Sequence, residues 1–343
     1  MQPPPKLTAG DRVAVLSPSW AAPAFFPAVH ELAMGRLRDE LGLVPVEYAT
    51  TRRPAGPAER AADLMGAYAD RSVRAVFATI GGDDQITVLR HLDPGVFRAD
   101  PKPFFGYSDN TNLLNWLWFH GVSGYHGGST QVHLGRGGHT HPMSVESLRA
   151  ALFTKSDVPL SSAERIYEDE LDWGDPAALA DEPSASAGGE WIWHQPTRAI
   201  TGPTWGGNLE ILHWTLAVSR WVRPCVDYAG HVLLLETSEE MPSGEAVARM
   251  LRDFGERGLL EQFPVAVVGR AKASSRLAPR TPLERAAYRG EQRAAMLAVF
   301  ATYNPTAMIV FDVDLGHTDP QCVLPYGGTM TVDGPARQVI AHY

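Results

Sequence analysis

Phe104-Phe105-Gly106-Tyr107-Ser108-Asp109-Asn110 is an apolar run that reads as a buried strand and stops at a glycine, with a serine close behind. A helical pattern, Asn112-Leu113-Leu114-Asn115-Trp116-Leu117-Trp118, follows at once. A strand that turns sharply into a helix through Gly-x-Ser lifts the serine hydroxyl out of the backbone at the carboxyl edge of a sheet. It also aims the helix amino-terminal N–H groups at whatever the hydroxyl attacks. The stretch therefore predicts a parallel α/β sheet and a nucleophile at Ser108. The plainer alternative is that Ser108, Asp109 or Asn110 only caps the helix. The elbow pattern Gly-x-Ser-x-Gly is incomplete, because Asn110 stands at the second glycine.

Upstream, strand and helix alternate. Residues 12–16 read as a buried strand ending in Ser17-Pro18-Ser19, and a helix follows to about residue 41. A short strand covers 44–48, a helix 58–68, a strand 75–80 ending in Gly81-Gly82, and a helix extends to about 92. Continuous apolar strands separated by helices indicate a parallel sheet covered on both faces, with sites beyond the strands' carboxyl ends. Between residues 156 and 189 the character changes. Glu164, Glu168, Asp169, Glu170, Asp172, Asp175, Asp181 and Glu182 sit among small residues, prolines and glycines, which reads as an acidic linker or insert. Strands and helices resume in the second half, and the tail from residue 321 alternates as a hairpin about Asp333-Gly334.

The chain has 343 residues, 44% hydrophobic and 20% charged, with a net charge of −9. That length allows two domains, and the negative charge without a Lys/Arg stripe argues against nucleic acid as a partner. No apolar run approaches the ~20 residues of a membrane span. The opening Met1-Gln2-Pro3-Pro4-Pro5-Lys6 lacks a secretion-signal pattern, so a cytoplasmic location is expected. Cys225 and Cys322 form neither a disulfide framework nor a zinc motif.

A serine nucleophile needs a base and an acid. His317, in Asp314-Leu315-Gly316-His317-Thr318-Asp319-Pro320, follows a strand and a glycine, where an imidazole can shuttle a proton near neutral pH. Glu236 closes the apolar run Val232-Leu233-Leu234-Leu235. An anion at the mouth of a buried strand is costly unless paired, and an imidazolium would meet that need. The alternative is a carboxylate that has already reached solvent beside Glu239 and Glu240.

Together, Gly106-Tyr107-Ser108-Asp109, Gly81-Gly82-Asp83, Leu234-Leu235-Glu236 and Gly316-His317-Thr318-Asp319-Pro320-Gln321 resemble the LD-carboxypeptidase family of serine peptidases. The segments 10–19 and Gly206-Gly207-Asn208-Leu209 resemble its opening strand and mid-chain segment. The long insert and the wide separation of Ser108 and Glu236 make the chain similar to the microcin-immunity branch. The resemblance implies an N-terminal flavodoxin-like parallel-sheet domain (residues 1–155) carrying the nucleophile. After the insert (156–189) it implies a second mixed α/β domain (190–343), of swivelling type with a C-terminal hairpin, carrying the acid and base. It further implies a Ser108–His317–Glu236 triad and an oxyanion hole from the N–H groups of Gly82 and Asp109. It implies a homodimer, no cofactor, and cleavage of an amide bond in a small peptide-nucleotide or aminoacyl conjugate. The alternative within the family is cleavage of murein tetrapeptide in cell-wall recycling. That branch stacks an aromatic residue of its insert on a nucleobase, and Trp191 or Trp193 is the candidate here; core packing is the competing role for both. Ser17, Ser19 and Asp83 are candidate hydrogen-bonding neighbours of the scissile bond. An exopeptidase also needs a cation for a terminal carboxylate, and no arginine is singled out.

Other chemistries are weaker. His126, His133, His139 and His141 cluster, with a His-x-His, but lack a third metal ligand at a fixed spacing. Cys322 lacks an elbow. Gly81-Gly82-Asp83-Asp84 is not the dinucleotide fingerprint, and its acids would repel pyrophosphate. A catalytically dead binder on the same scaffold is the non-enzyme alternative.

Overall fold

The computed structural model describes every residue except 2, 3 and 170; Gln2-Pro3 of the opening segment and Glu170 of the acidic segment therefore lie outside the described residues. The N-terminal sheet is built from β1 (Arg12–Leu16), β2 (Val44–Glu47), β3 (Val73–Ala78), β4 (Phe104–Gly106) and β5 (Gly124–His126). Their spatial order is β2-β1-β3-β4-β5, all parallel, which is the flavodoxin-like arrangement. Residues of β1, β3 and β4 are almost completely buried because helices cover both faces: α1 (Pro27–Asp39), α2 (Pro57–Ala69), α3 (Pro94–Ala99), α4 (Thr111–Phe119) and α5 (Pro142–Phe153). Residues 85–91, expected to be helix, form two short 3₁₀ turns, and the Gln85 side chain is spent on Asn110 and on the Leu113 N–H instead.

The acidic segment carries structure of its own, although Glu164, Asp172, Asp175, Asp181 and Glu182 are exposed. Its β6 (Asp157–Pro159) joins the second sheet, and β7 (Arg165–Tyr167) and β8 (Ala185–Ala187) form a hairpin. Glu168 is buried, accepting from the Ala273 N–H and pairing with Arg285 and Arg289. Glu168 is the buried exception among the segment's described acids, and its long-range arginine partners make that burial tolerable.

The second sheet adds β9 (Ile192–His194), β10 (Ala199–Asn208), β11 (Val232–Glu236), β12 (Val265–Gly269) and β13 (Met308–Val313). β10 through β13 run parallel, and β9 closes the far edge antiparallel. The chain then returns. β14 (Leu324–Tyr326) pairs antiparallel with β5 of the first sheet, while β15 (Thr329–Asp333) and β16 (Gln338–His342) make the expected hairpin on the second. Helices α6 (Leu209–Val218), α7 (Gly244–Glu256) and α8 (Pro282–Tyr303) cover the second sheet.

The two halves meet at α4, the helix of the elbow, whose residues are buried nearly all round. Trp205 Nε1 of β10 donates to Asn115 Oδ1 at 2.9 Å, and the Asn208 N–H donates to Thr111 Oγ1 at 3.1 Å. The start of the elbow helix is thereby fastened to the strand beside the one ending in Glu236, since Asn208 and Glu236 are in register.

Candidate active site

Ser108 lies directly after β4 with φ of 61°, a left-handed conformation that a non-glycine residue adopts only when its surroundings impose it. The imposing contacts are visible. Asn110, at the elbow's missing glycine, donates from Nδ2 to the carbonyls of Ile80 at 3.0 Å and Tyr107 at 3.1 Å, and accepts from Gln85 Nε2 at 2.7 Å. It pins the turn to the end of β3. Asp109 is buried, and desolvation raises its carboxyl pKa against its hydrogen bonds. It accepts from Ser19 Oγ, from the Gln85 N–H at 3.0 Å and from Asn112 Nδ2 at 2.8 Å. Gly81 faces Ser108 so closely that a Cβ there would stand 2.9 Å from Ser108 Oγ.

His317 follows Gly316, whose φ is +90° and where a Cβ would lie 2.7 Å from Glu236 Oε2. Only glycine lets the loop bring the imidazole onto this carboxylate. His317 Nδ1 is 2.6 Å from Glu236 Oε2, the Glu236 side chain being 1% exposed. The opposite nitrogen, Nε2, lies 2.9 Å from Glu239 Oε2. The Tyr107 ring meets the imidazole edge-on with centroids 5.0 Å apart. Burial alone would lower the imidazole pKa, but the two carboxylates outweigh it and raise it to about 10. The same imidazolium holds the Glu239 carboxyl down at about 2.

Ser108 and His317 line one cavity of about 300 Å³, with Trp20, Gly81, Gly82, Tyr107, Trp173, Glu239 and Lys272 on its walls. A smaller recess continues past His317 between Arg136, Tyr167 and Lys272. Lys272 is buried, and desolvation lowers its pKa to about 8 even though Glu168, Asp169 and Asp319 oppose the shift.

The other expected site residues scatter. Ser17 is buried and bonded to the Thr51 carbonyl and Thr79 Oγ1, so it braces the sheet edge and does not line the cavity. Ser19 supports the elbow through Asp109, and Asp83 lines a neighbouring open cavity of about 470 Å³ with Trp20 and Glu239. Trp191 is buried in the second core and donates to Asp314 at 3.0 Å; Trp193 packs on the same core. The insert tryptophan that reaches the cavity is Trp173, joined to Trp20 through edge-to-face contacts with Phe26. Sequence reading missed Trp173, Trp20, Lys272 and Glu239, because nothing local separates a wall residue from any other aromatic or charge. Of the clustered histidines, His126 and His133 are buried, and burial lowers both pKa values. His139 instead pairs with Glu182. Among the described residues no three His, Cys, Asp or Glu side chains converge to hold a metal. Cys322 is buried, and desolvation pushes its thiol pKa far up. Among the described residues no helix is long and apolar enough to cross a membrane.

A serine on a strand-to-helix turn of a flavodoxin-like sheet shares one cavity with an imidazole from the second α/β unit, which is the arrangement of a two-part serine hydrolase. Residues 13–127 match the LD-carboxypeptidase N-terminal domain and residues 201–332 its C-terminal domain; the chain belongs to that family of serine peptidases. It is 27% identical to a provisionally named carboxypeptidase of Vibrio cholerae over 95% of this chain and 93% of that one. An MccF-like protein from Streptococcus pneumoniae, solved with AMP, shares the fold at a TM-score of 0.85. It is 23% identical, covering 97% of this chain and 99% of the other. The microcin C7 self-immunity protein MccF also superimposes at 0.85, with 18% identity over 100% and 99% of the two chains.

Proposed function

We propose that this serine peptidase cleaves an amide bond in a small peptide-nucleotide or aminoacyl conjugate, as a self-immunity or detoxifying enzyme, through Ser108, His317 and Glu236. The observation that carries this reading is the 2.6 Å contact of His317 with Glu236 on the wall of the cavity that also holds Ser108. His317 Nε2 takes the Ser108 proton as Oγ attacks the carbonyl. Glu236 orients the ring and stabilises its charged form. The N–H groups of Gly82 and Asp109 receive the oxyanion, and each such donor is typically worth roughly 3–4 kcal/mol of barrier. Collapse returns the proton to the leaving nitrogen, and water then releases the acyl group from Ser108.

Trp173 supports the nucleotide reading, since an insert aromatic borders the nucleophile's cavity and can stack on a base. MccF structures include complexes with AMP, glutamyl sulfamoyl guanosine and aspartyl sulfamoyl adenosine. Lys272 on the cavity wall supports a contact with an anionic group of the substrate. A murein tetrapeptide is the second reading, favoured by 29% identity over 185 residues to a Bacillus subtilis protein provisionally named as a murein peptide carboxypeptidase. Incubation with an aminoacyl sulfamoyl adenosine and with a murein tetrapeptide, followed by mass spectrometry, decides between them. Cleavage of neither overturns both. The same resemblance carries a cytoplasmic homodimer; light scattering at micromolar concentration checks the dimer.

A further inference from the structure

We infer that Glu239 is a gate on the catalytic base, released by a substrate whose acyl part carries a free ammonium group. The inference rests on the triad reading above. His317 Nε2 is the nitrogen that must accept the Ser108 proton, yet the Glu239 carboxylate faces it at 2.9 Å. An imidazole held between Glu236 and Glu239 is an imidazolium and cannot act as a base. The two carboxylates differ in freedom: the Glu236 side chain is 1% exposed and the Glu239 side chain 57%. Glu239 belongs to the loop after β11 and borders both the catalytic cavity and the open cavity next to it, so its carboxylate can turn from one to the other.

The charges around the gate define what releases it. The open cavity presents Asp83, Asp84 and Glu239, and its one described cation, Arg60, is already held by Asp84 through two contacts of 2.7 and 2.8 Å. Lys272 stands on the wall of the catalytic cavity and in the recess beyond His317, which Arg136, Glu168, Asp169 and Asp319 also line. The remaining groups about the imidazole are Tyr107 and the buried His126 and His133. The Glu239 end is thus negative, its one described cation already paired. A substrate lying across Ser108 places an ammonium at that end. Once Glu239 pairs with that ammonium, only Glu236 still raises the imidazole pKa. The Nε2 proton passes to solvent, and the base is free. An acyl group whose amine is blocked leaves the gate shut.

Fluorophosphonate labelling of Ser108 reads the state of His317 without any substrate. In Glu239→Gln the pH at which labelling is half-maximal should fall by about one unit or more. The wild type should cleave an aminoacyl amide at least about tenfold better, in kcat/KM, than its N-acetylated counterpart. In Glu239→Gln that preference should shrink to within about threefold. An unmoved labelling profile overturns the gate, and an amine preference that survives in the variant overturns the ammonium assignment. Absence of labelling in the wild type itself would remove the serine mechanism, and the gate with it.

Discussion

The two sides of the catalytic cavity are held by different forces. The nucleophile side is a lattice of short-range buried hydrogen bonds: Asn110 on the end of β3, Asp109 on Ser19, Gln85 and Asn112, and Gly81 pressed against Ser108. The base side is held chiefly by charge, with one imidazole between two carboxylates on a loop that only a glycine permits. Hydrogen-bond lattices fix geometry and are indifferent to modest pH changes. Charge pairs fix a protonation state and respond to pH. On the proposed mechanism the attacking atom is thus held still and the base is left adjustable.

The largest test of this contrast is Ser108→Ala. Turnover should fall by about 10⁴-fold or more with the melting temperature nearly unchanged, because the removed hydroxyl carries none of the elbow's hydrogen bonds. Comparable turnover in the variant would end the mechanism.

Glu236→Gln comes next, with a loss of roughly 10³–10⁴ in kcat as the imidazole loses its orienting charge. It should also change how stability depends on pH. The folded-state pKa of His317 lies near 10, above its ordinary value of 6.5. The pairing therefore stabilises the fold fully below about pH 6.5, and that contribution is lost as pH rises towards 10. Thermal melts of the wild type across that window should show a decline that Glu236→Gln flattens. Parallel curves would contradict the charge-held base.

Gly81→Ala probes the rigid side, placing a methyl 2.9 Å from Ser108 Oγ. A drop of about 10² in kcat/KM is expected from the misplaced nucleophile, alongside slower fluorophosphonate labelling. Smallest is Lys272→Met, which should raise KM about tenfold for anionic substrates with little change in kcat, as loss of an ion pair made equally in ground and transition states. A large kcat effect would instead give Lys272 a part in the chemistry.

Much of the first sheet was legible in the sequence because its signals are local. Apolar runs of strand length broken by Gly81-Gly82 or Gly106 state both the strand and its carboxyl end, and the Gly-x-Ser turn places the hydroxyl. The misread regions have non-local causes. Within the acidic segment nothing local marks Glu168 for burial, because its partners Arg285 and Arg289 lie more than a hundred residues away. Residues 324–326 looked like part of a C-terminal hairpin, and nothing in their pattern says that they pair with β5. Trp191 and Trp173 are indistinguishable as aromatics in a polar stretch, and only packing sends one to the core and the other to the cavity.

By itself, the chain's order of residues determined a doubly covered parallel sheet, a serine at its carboxyl edge, and a histidine and glutamate at strand ends downstream. These depend on periodicity and turn chemistry, which act over a few residues. The tertiary structure alone decided that Glu236 and Glu239 flank His317 from opposite sides, and that a lysine and an insert tryptophan wall the same cavity. Those placements depend on which distant groups share a low-dielectric space, where pairing outweighs the cost of burying charge.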